Sequence, residues 1–176
     1  MFASRKKSGS APQLRWFHPE PTERYHELQG PEGKVASVRW AKEKGTLATA
    51  QWGGEAWTFK RFGFLHPKIT IRKPHAEVNL GRFDPNIEGG GLLHLAGGLE
   101  YRLVANFWRG EWRWTDPAGE DLLEFKRDFS VAEKNEGHLT WLAEGVAPER
   151  FHLLTLLGWY VVIMLAEDAT HGTMGY

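Results

Sequence analysis

Cysteine is absent from this 176-residue chain. Its absence excludes disulfides, thiolate nucleophiles, cysteine metal sites and palmitoyl anchors, and it fits a reducing compartment. A charge of one sign is missing too: 22 Lys and Arg balance 22 Asp and Glu. A chain with zero net charge lacks the basic character of a general nucleic-acid binder. The first ten residues, Met1 to Ser10, are small and basic with no apolar stretch behind them, so they lack the centre of a secretory signal. The expected location is cytoplasmic, or peripheral at a membrane. No Gly-x-Ser-x-Gly elbow or His-Glu-x-x-His pair occurs, and Gly89-Gly90-Gly91 lacks the lysine and hydroxyl of a phosphate loop. His75 and Glu77 form a His-x-Glu with His66 near in sequence. A zinc deaminase would also need a Pro-Cys-x-x-Cys, so these histidines read as surface or loop residues. No catalytic residue, cofactor or metal is assigned, and the chain is expected not to be an enzyme.

What the sequence has is aromatic weight, with 9 Trp, 10 Phe and 4 Tyr, and one long apolar run. From Phe151 to Ala166 only His152 and Thr155 are strongly polar and nothing is charged. Pro148 stands where a first-turn proline fits, and Glu149 suits the positive end of a helix. These residues predict a helix over 148–166. A helix apolar on every side must be hidden all round, in a protein core or in lipid. Its length of about 27 Å falls short of roughly 30 Å of hydrocarbon. Glu167 and Asp168 follow it at once. The first reading is therefore a central core helix, and the alternative is a membrane anchor. Gly158, without a side chain, fits close approach of a strand, and His152 reads as hydrogen-bonded inside a barrel mouth.

Upstream, the pattern has period two, so each strand offers one apolar face. Strands are expected over 35–41, 46–52, 55–62, 68–73, 77–83, 92–95, 99–107, 111–115, 122–126 and 137–142, with Val131 a weak further candidate. Trp112 and Trp114 alternating with Glu111, Arg113 and Thr115 show it most clearly. Lys42-Glu43-Lys44-Gly45, Gly53-Gly54 and Asp116-Pro117-Ala118-Gly119 read as turns, the last of type I. Ten or eleven short strands at such spacing indicate an all-β sandwich or barrel. The terminal helix is the only large apolar partner for their aromatic faces. Residues 1–13 read as a disordered basic tail. Residues 14–34, broken by Pro19 and Pro21, read as a segment packed on the barrel wall, with a short helix available over 21–28. The barrel is expected over 35–168, followed by a tail over 169–176.

A Trp-x-Phe-x-Arg strand (Trp57, Phe59, Arg61) precedes Ile-x-Ile-Arg (Ile69, Ile71, Arg72). A glycine-rich turn then leads into Leu99-Glu100-Tyr101-Arg102, a Trp-x-Trp strand, an Asp-Pro-x-Gly turn and a lone hydrophobic helix. Over 35–168 this order resembles the tubby C-terminal-like superfamily, which includes tubby, the phospholipid scramblases and the LURP-one-related proteins. The resemblance implies a mainly β fold: a closed antiparallel barrel of about twelve strands enclosing the C-terminal helix. The missing strands would lie in 14–28 or 129–132. It also implies a non-catalytic binding or scaffolding module, or a membrane-anchored scramblase-like protein. The calcium segment claimed for scramblases has no match, since 133–145 lacks the acidic oxygens of a calcium loop.

Between Ala56 and Phe83 six basic residues face one acidic residue, Glu77. Lys60, Arg61, Lys68, Arg72 and Lys73, with Arg82 nearby, sit on neighbouring strands about 4.8 Å apart. Outward cations so placed would suit an anionic lipid or phosphoinositide head group; the bland reading is an ordinary solvated strand face. Another protein is the other partner class. Trp108 beside Arg109 has the composition of a stacking site for a base or sugar, which the zero net charge disfavours. Oligomeric state is not legible in the sequence.

Overall fold

The computed structural model describes residues 13–128 and 135–172. Twelve strands follow in order: Leu14–Phe17 (β1), Tyr25–Gly30 (β2), Gly33–Trp40 (β3), Ala48–Trp52 (β4), Glu55–Phe62 (β5) and Lys68–Arg72 (β6). They continue with Gly81–Pro85 (β7), Gly91–Leu95 (β8), Glu100–Ala105 (β9), Glu111–Thr115 (β10), Asp121–Asp128 (β11) and Glu136–Trp141 (β12). One helix, Pro148–Gly172 (α1), follows them among the described residues. Every strand pairs antiparallel with its sequence neighbour, and β1 closes on β12 through Leu14↔Leu139 and Trp16↔Gly137. Closure leaves no edge strand to pair with another chain.

The alternation becomes two faces. Trp57 and Phe59 of β5, Ile69 and Ile71 of β6, and Trp112 and Trp114 of β10 are buried, while their neighbours reach solvent. The inward residues meet α1, whose Leu154, Leu156, Leu157, Trp159 and Tyr160 are wholly buried. Trp159 stacks on Trp16 with ring centres 5.2 Å apart, and Tyr160 stacks on Trp40 at 5.5 Å. Ala36, Ala48 and Ala50 keep the β3–β4 wall thin beside these large rings. Opposite, Gly158 lies under Phe125 and Trp114: a Cβ there would come within 2.5 Å of the Phe125 ring and 2.8 Å of Trp114 Nε1. The close approach expected at Gly158 is thus made by two aromatic side chains rather than by strand backbone.

Several expectations need correction. The 14–34 segment is part of the barrel, not packing on it. β1 and β2 are the two strands not counted in the alternation, and no helix forms over 21–28. The prolines fall in the connection between them, where they cost no ladder bond. The 77–83 strand begins only at Gly81, and Val78 is exposed. The Leu99 side chain lies outside β9 and is exposed, whereas Tyr101, Leu103 and Ala105 share the inner face. The triple glycine, which the sequence suggests as a flexible turn ahead of 92–95, is tightly packed and its last residue opens β8. Gly90 and Gly91 are buried, and a Cβ on either would overlap the carbonyl oxygen of Leu103 or of Asp84. Val131 lies outside the described residues.

The helix also runs beyond 166. Its 25 residues are long and apolar enough by composition to cross a membrane, yet fourteen of them are buried inside the barrel. The apolar run marked where burial stops, not where the hydrogen-bond ladder stops. Residues 167–172 form an exposed last turn and a half, in which Thr170 Oγ1 donates to Ala166 O at 3.0 Å.

Candidate functional site

The barrel has two dissimilar mouths. Helix α1 enters beside the turn between β4 and β5. Trp52 and Trp141 there enclose Phe151 and His152, with Trp52 and His152 stacked at 4.2 Å and Trp141 and Phe151 at 5.0 Å. His152 Nδ1 bonds the Glu55 carboxylate, so this histidine is a hydrogen-bonded mouth residue, as its position suggested. At the exit mouth Arg24 clamps Glu167 through Nε at 2.9 Å and Nη2 at 2.6 Å. Arg61 clamps Asp168 through Nη1 at 2.6 Å and Nη2 at 2.9 Å. That hydrogen bond to Asp168 holds the Arg61 guanidinium above its ordinary range, against the opposing effect of burial. Tyr160 donates to Thr46 O at 2.5 Å and accepts from Arg61 N at 3.2 Å. Burial pushes its hydroxyl up to about 12, although its hydrogen bonds with Arg61 N and Thr46 and the charge of Arg61 act the other way.

The five cations expected to form one patch are divided by strand parity. Arg61 shares the inward face of Trp57 and Phe59 and is committed to α1 at the exit mouth. Lys73 follows the inward face of Ile69 and Ile71 to the opposite mouth, where it lies 4.4 Å over the Trp57 ring and 3.7 Å from Glu149. Lys60, Lys68 and Arg72 do share the outer face, but two of them have partners. Arg72 Nε donates to Asn79 Oδ1 at 2.6 Å, and Lys68 Nζ donates to Asp84 at 3.0 Å. Asp84 also takes Arg82 at 2.8 Å and His94 at 3.3 Å. Partial burial would raise the Asp84 carboxyl, but the Arg82 and Lys68 hydrogen bonds outweigh it and hold it below the usual carboxylate range.

Lys60 is the exception. With Lys42 and Lys44 it lines a surface hollow of about 280 Å³ floored by Ala41, Gly45 and Thr46. The β3–β4 turn brings Lys42 and Lys44 to it, since β4 is the strand next to β5. All three lysines are exposed. Lys42 and Lys44 were legible only as a charged turn. Nothing local in the sequence says that Lys60, some sixteen residues on, returns to the same spot.

The histidines do not assemble. His66 lies in the β5–β6 loop and His75 in the loop before β7, with His75 held at φ 61°. Among the described residues no group of three His, Asp or Glu is placed to hold a metal ion. His18 and His26 form a buried titratable pair, stacked at 4.3 Å beneath the exit mouth. His18 Nε2 pairs with Glu23 O at 2.7 Å. Burial, with help from the charge of His18, lowers His26 to about 3. The His26 ring sits edge-on to Trp40 and Trp159, and His18 is buried against it, so the pair belongs to the core.

The loops at the exit mouth carry large apolar side chains that stay exposed. Phe64, Leu65, Ile87, Phe107 and Trp108 are all at least 80% exposed. Of these, the sequence singled out only Trp108. The others had a readable signal: a large apolar residue in a short loop, where no strand face can bury it.

Set against protein-family models, curated proteins and solved structures, the chain matches none.

Proposed function

We propose that this chain is a non-catalytic binding module of tubby-like build that docks, on the cytoplasmic side, on anionic phospholipid head groups. The observation that carries the reading is the lysine-lined hollow. Lys42, Lys44 and Lys60 converge there, and none has an ion-pair partner among the described residues. Ammonium groups lining one hollow repel one another, and a multivalent anion relieves that repulsion. Lys68 and Arg72 add to the field from the adjoining outer face, while Arg61 and Lys73 stay engaged with α1 and its surroundings. The barrel-around-helix architecture supports the family resemblance at the level of fold, which carries no function by itself.

The test is co-sedimentation with vesicles of phosphatidylcholine alone, with added phosphatidylserine, and with added phosphatidylinositol bisphosphate. Wild type is expected to bind the anionic vesicles and to lose affinity as salt rises. A Lys42→Ala/Lys44→Ala/Lys60→Ala variant should lose most of that binding, about 1 kcal/mol per lysine near the surface. An Arg72→Ala/Lys73→Ala variant should lose less. Equal binding by wild type and the triple variant would remove the hollow from the account.

The length and hydropathy of α1 favour a second reading, a scramblase-like membrane anchor. It requires α1 to leave the barrel and open an aromatic-lined void in its place. Full recovery of the protein from cells without detergent would count against it.

A further inference from the structure

We infer that the exit-mouth rim is a bilayer-insertion surface, with Phe64, Leu65, Ile87, Phe107 and Trp108 entering the interfacial layer of an anionic membrane. This deepens the proposed function and rests on it: the lysine hollow supplies attraction to head groups, and the rim supplies apolar contact.

Three adjacent hairpins carry the rim. β5, β7 and β9 all run toward the mouth where Arg61 meets Asp168, and β6, β8 and β10 run back. The loops 63–67, 86–90 and 106–110 therefore stand side by side at one end of the barrel. Their five large apolar side chains are 80–97% exposed. Isolated exposed apolar residues need no explanation, but a cluster on neighbouring loops does. It is not a consequence of slack backbone. Asn86 Oδ1 accepts from Glu88 N and Gly90 N at 3.1 and 3.0 Å, and Asn106 Oδ1 accepts from Gly110 N and Glu111 N at 2.9 and 3.2 Å. The two loops are tied together where Arg109 Nη2 donates to Ile87 O at 2.8 Å and Trp112 Nε1 to Gly89 O at 3.0 Å. Phe107 and Trp108 meet edge to face, with ring centres 5.1 Å apart. The backbone is braced and the apolar side chains are left facing outward.

Shape and charge select the occupant. The side chains, each at least 80% exposed, sit on three separate loops. Tryptophan, phenylalanine, leucine and isoleucine at tips are the residues that favour the membrane interface. The neighbouring 41–47 loop, at the same mouth, brings Lys42 and Lys44 to Lys60, which gives the rim a cationic flank complementary to anionic head groups. Shallow apolar insertion together with a basic flank makes the two-part anchor that reversible membrane binding needs.

The absence of cysteine makes the test clean. Phe64→Cys, Trp108→Cys and, as the control at the opposite mouth, Val78→Cys are each labelled with an environment-sensitive fluorophore. All three positions are exposed. Each protein is mixed with vesicles of phosphatidylcholine and phosphatidylserine, with and without brominated acyl chains. The labels at 64 and 108 should shift to the blue and be quenched by bromine, while the label at 78 does neither. A Phe64→Ser/Leu65→Ser/Trp108→Ser variant should bind these vesicles at least about tenfold more weakly, and the loss should persist in high salt, where electrostatic attraction is screened. Vesicle binding with silent labels at 64 and 108 would overturn the insertion and leave the lysine reading intact. Responsive rim labels combined with full binding by the triple lysine variant would support insertion and overturn the lysine reading. No binding by wild type, or a concentration-dependent shift without vesicles that reports self-association, would overturn the insertion.

Discussion

Acidification from about pH 7 to about pH 4 destabilises the wild-type barrel steeply, and most of that slope disappears in a His26→Asn variant. His26 is 2% exposed. His18 stacks on it from the β1–β2 connection, Trp40 faces it from β3 and Trp159 from α1. Arg24, two residues before it, opposes its protonation, while a backbone hydrogen bond to Asn135 favours it. No carboxylate acts on it strongly enough to compensate burial, so its folded-state value falls from 6.5 to about 3. The sign follows directly. Between those two values the unfolded chain binds a proton at this site and the folded chain does not, so lowering the pH favours unfolding. Each pH unit crossed in that window removes up to about 1.4 kcal/mol, which accumulates to a large share of a typical domain's stability of about 5–15 kcal/mol. The depressed carboxyl of Asp84 contributes in the same direction only at lower pH, as it protonates below the ordinary carboxylate range. Urea midpoints at about pH 7, 5.5 and 4 for the two proteins measure this. Parallel curves would show that His26 is not buried as a neutral imidazole.

Trp159→Ala is expected to cost about 3–5 kcal/mol, the range for removing a buried tryptophan or phenylalanine. Its indole is wholly buried, stacked nearly parallel on Trp16 and close against Gly137, where an added Cβ would sit 3.0 Å from the ring. Truncation leaves a cavity where α1, β1 and β12 meet, and neither the helix nor a closed barrel can move far to fill it. Trp108→Ala provides the internal comparison. That ring is 81% exposed, and surface changes of this kind stay within about 0.5 kcal/mol. Denaturant unfolding of both variants gives the contrast. A cost below about 1 kcal/mol for Trp159→Ala would mean that α1 and the β1–β12 seam are not packed against each other.

Much of this architecture was readable because few residues on the inner face are polar. Trp112 and Trp114 alternate cleanly with charged neighbours, and both are buried. The Asp116-Pro117-Ala118-Gly119 turn forms as its chemistry demands, with Gly119 N donating to Asp116 O at 3.0 Å and Asp116 Oδ1 accepting from Ala118 N at 2.9 Å. The terminal run could hardly be anything but enclosed. β2 was hidden because a histidine, His26, occupies a core position, so Tyr-His-Glu-Leu does not read as a strand with one apolar face. β1 was hidden by its brevity and by the prolines that follow it. The basic cluster misled for a different reason. Density along the sequence was counted, whereas parity decides the face: Arg61 lies two residues after Phe59 and Lys73 two after Ile71, so both point inward toward the mouths. The convergence of Lys42 and Lys44 on Lys60 depends on pairing across β3, β4 and β5, which no local pattern encodes.

Hydrogen exchange of the full-length native protein tests the central claim most directly. If α1 is the core around which the barrel closes, its amides from Leu153 to Met164 open only when the whole domain unfolds. Their protection should then match the best-protected amides of β10 and β11 and should not fall when anionic vesicles are added, since binding to the folded barrel can only stabilise it. Exchange in α1 that is orders of magnitude faster than in those strands, or that speeds up when vesicles are added, would show that the helix leaves the barrel and would contradict the account.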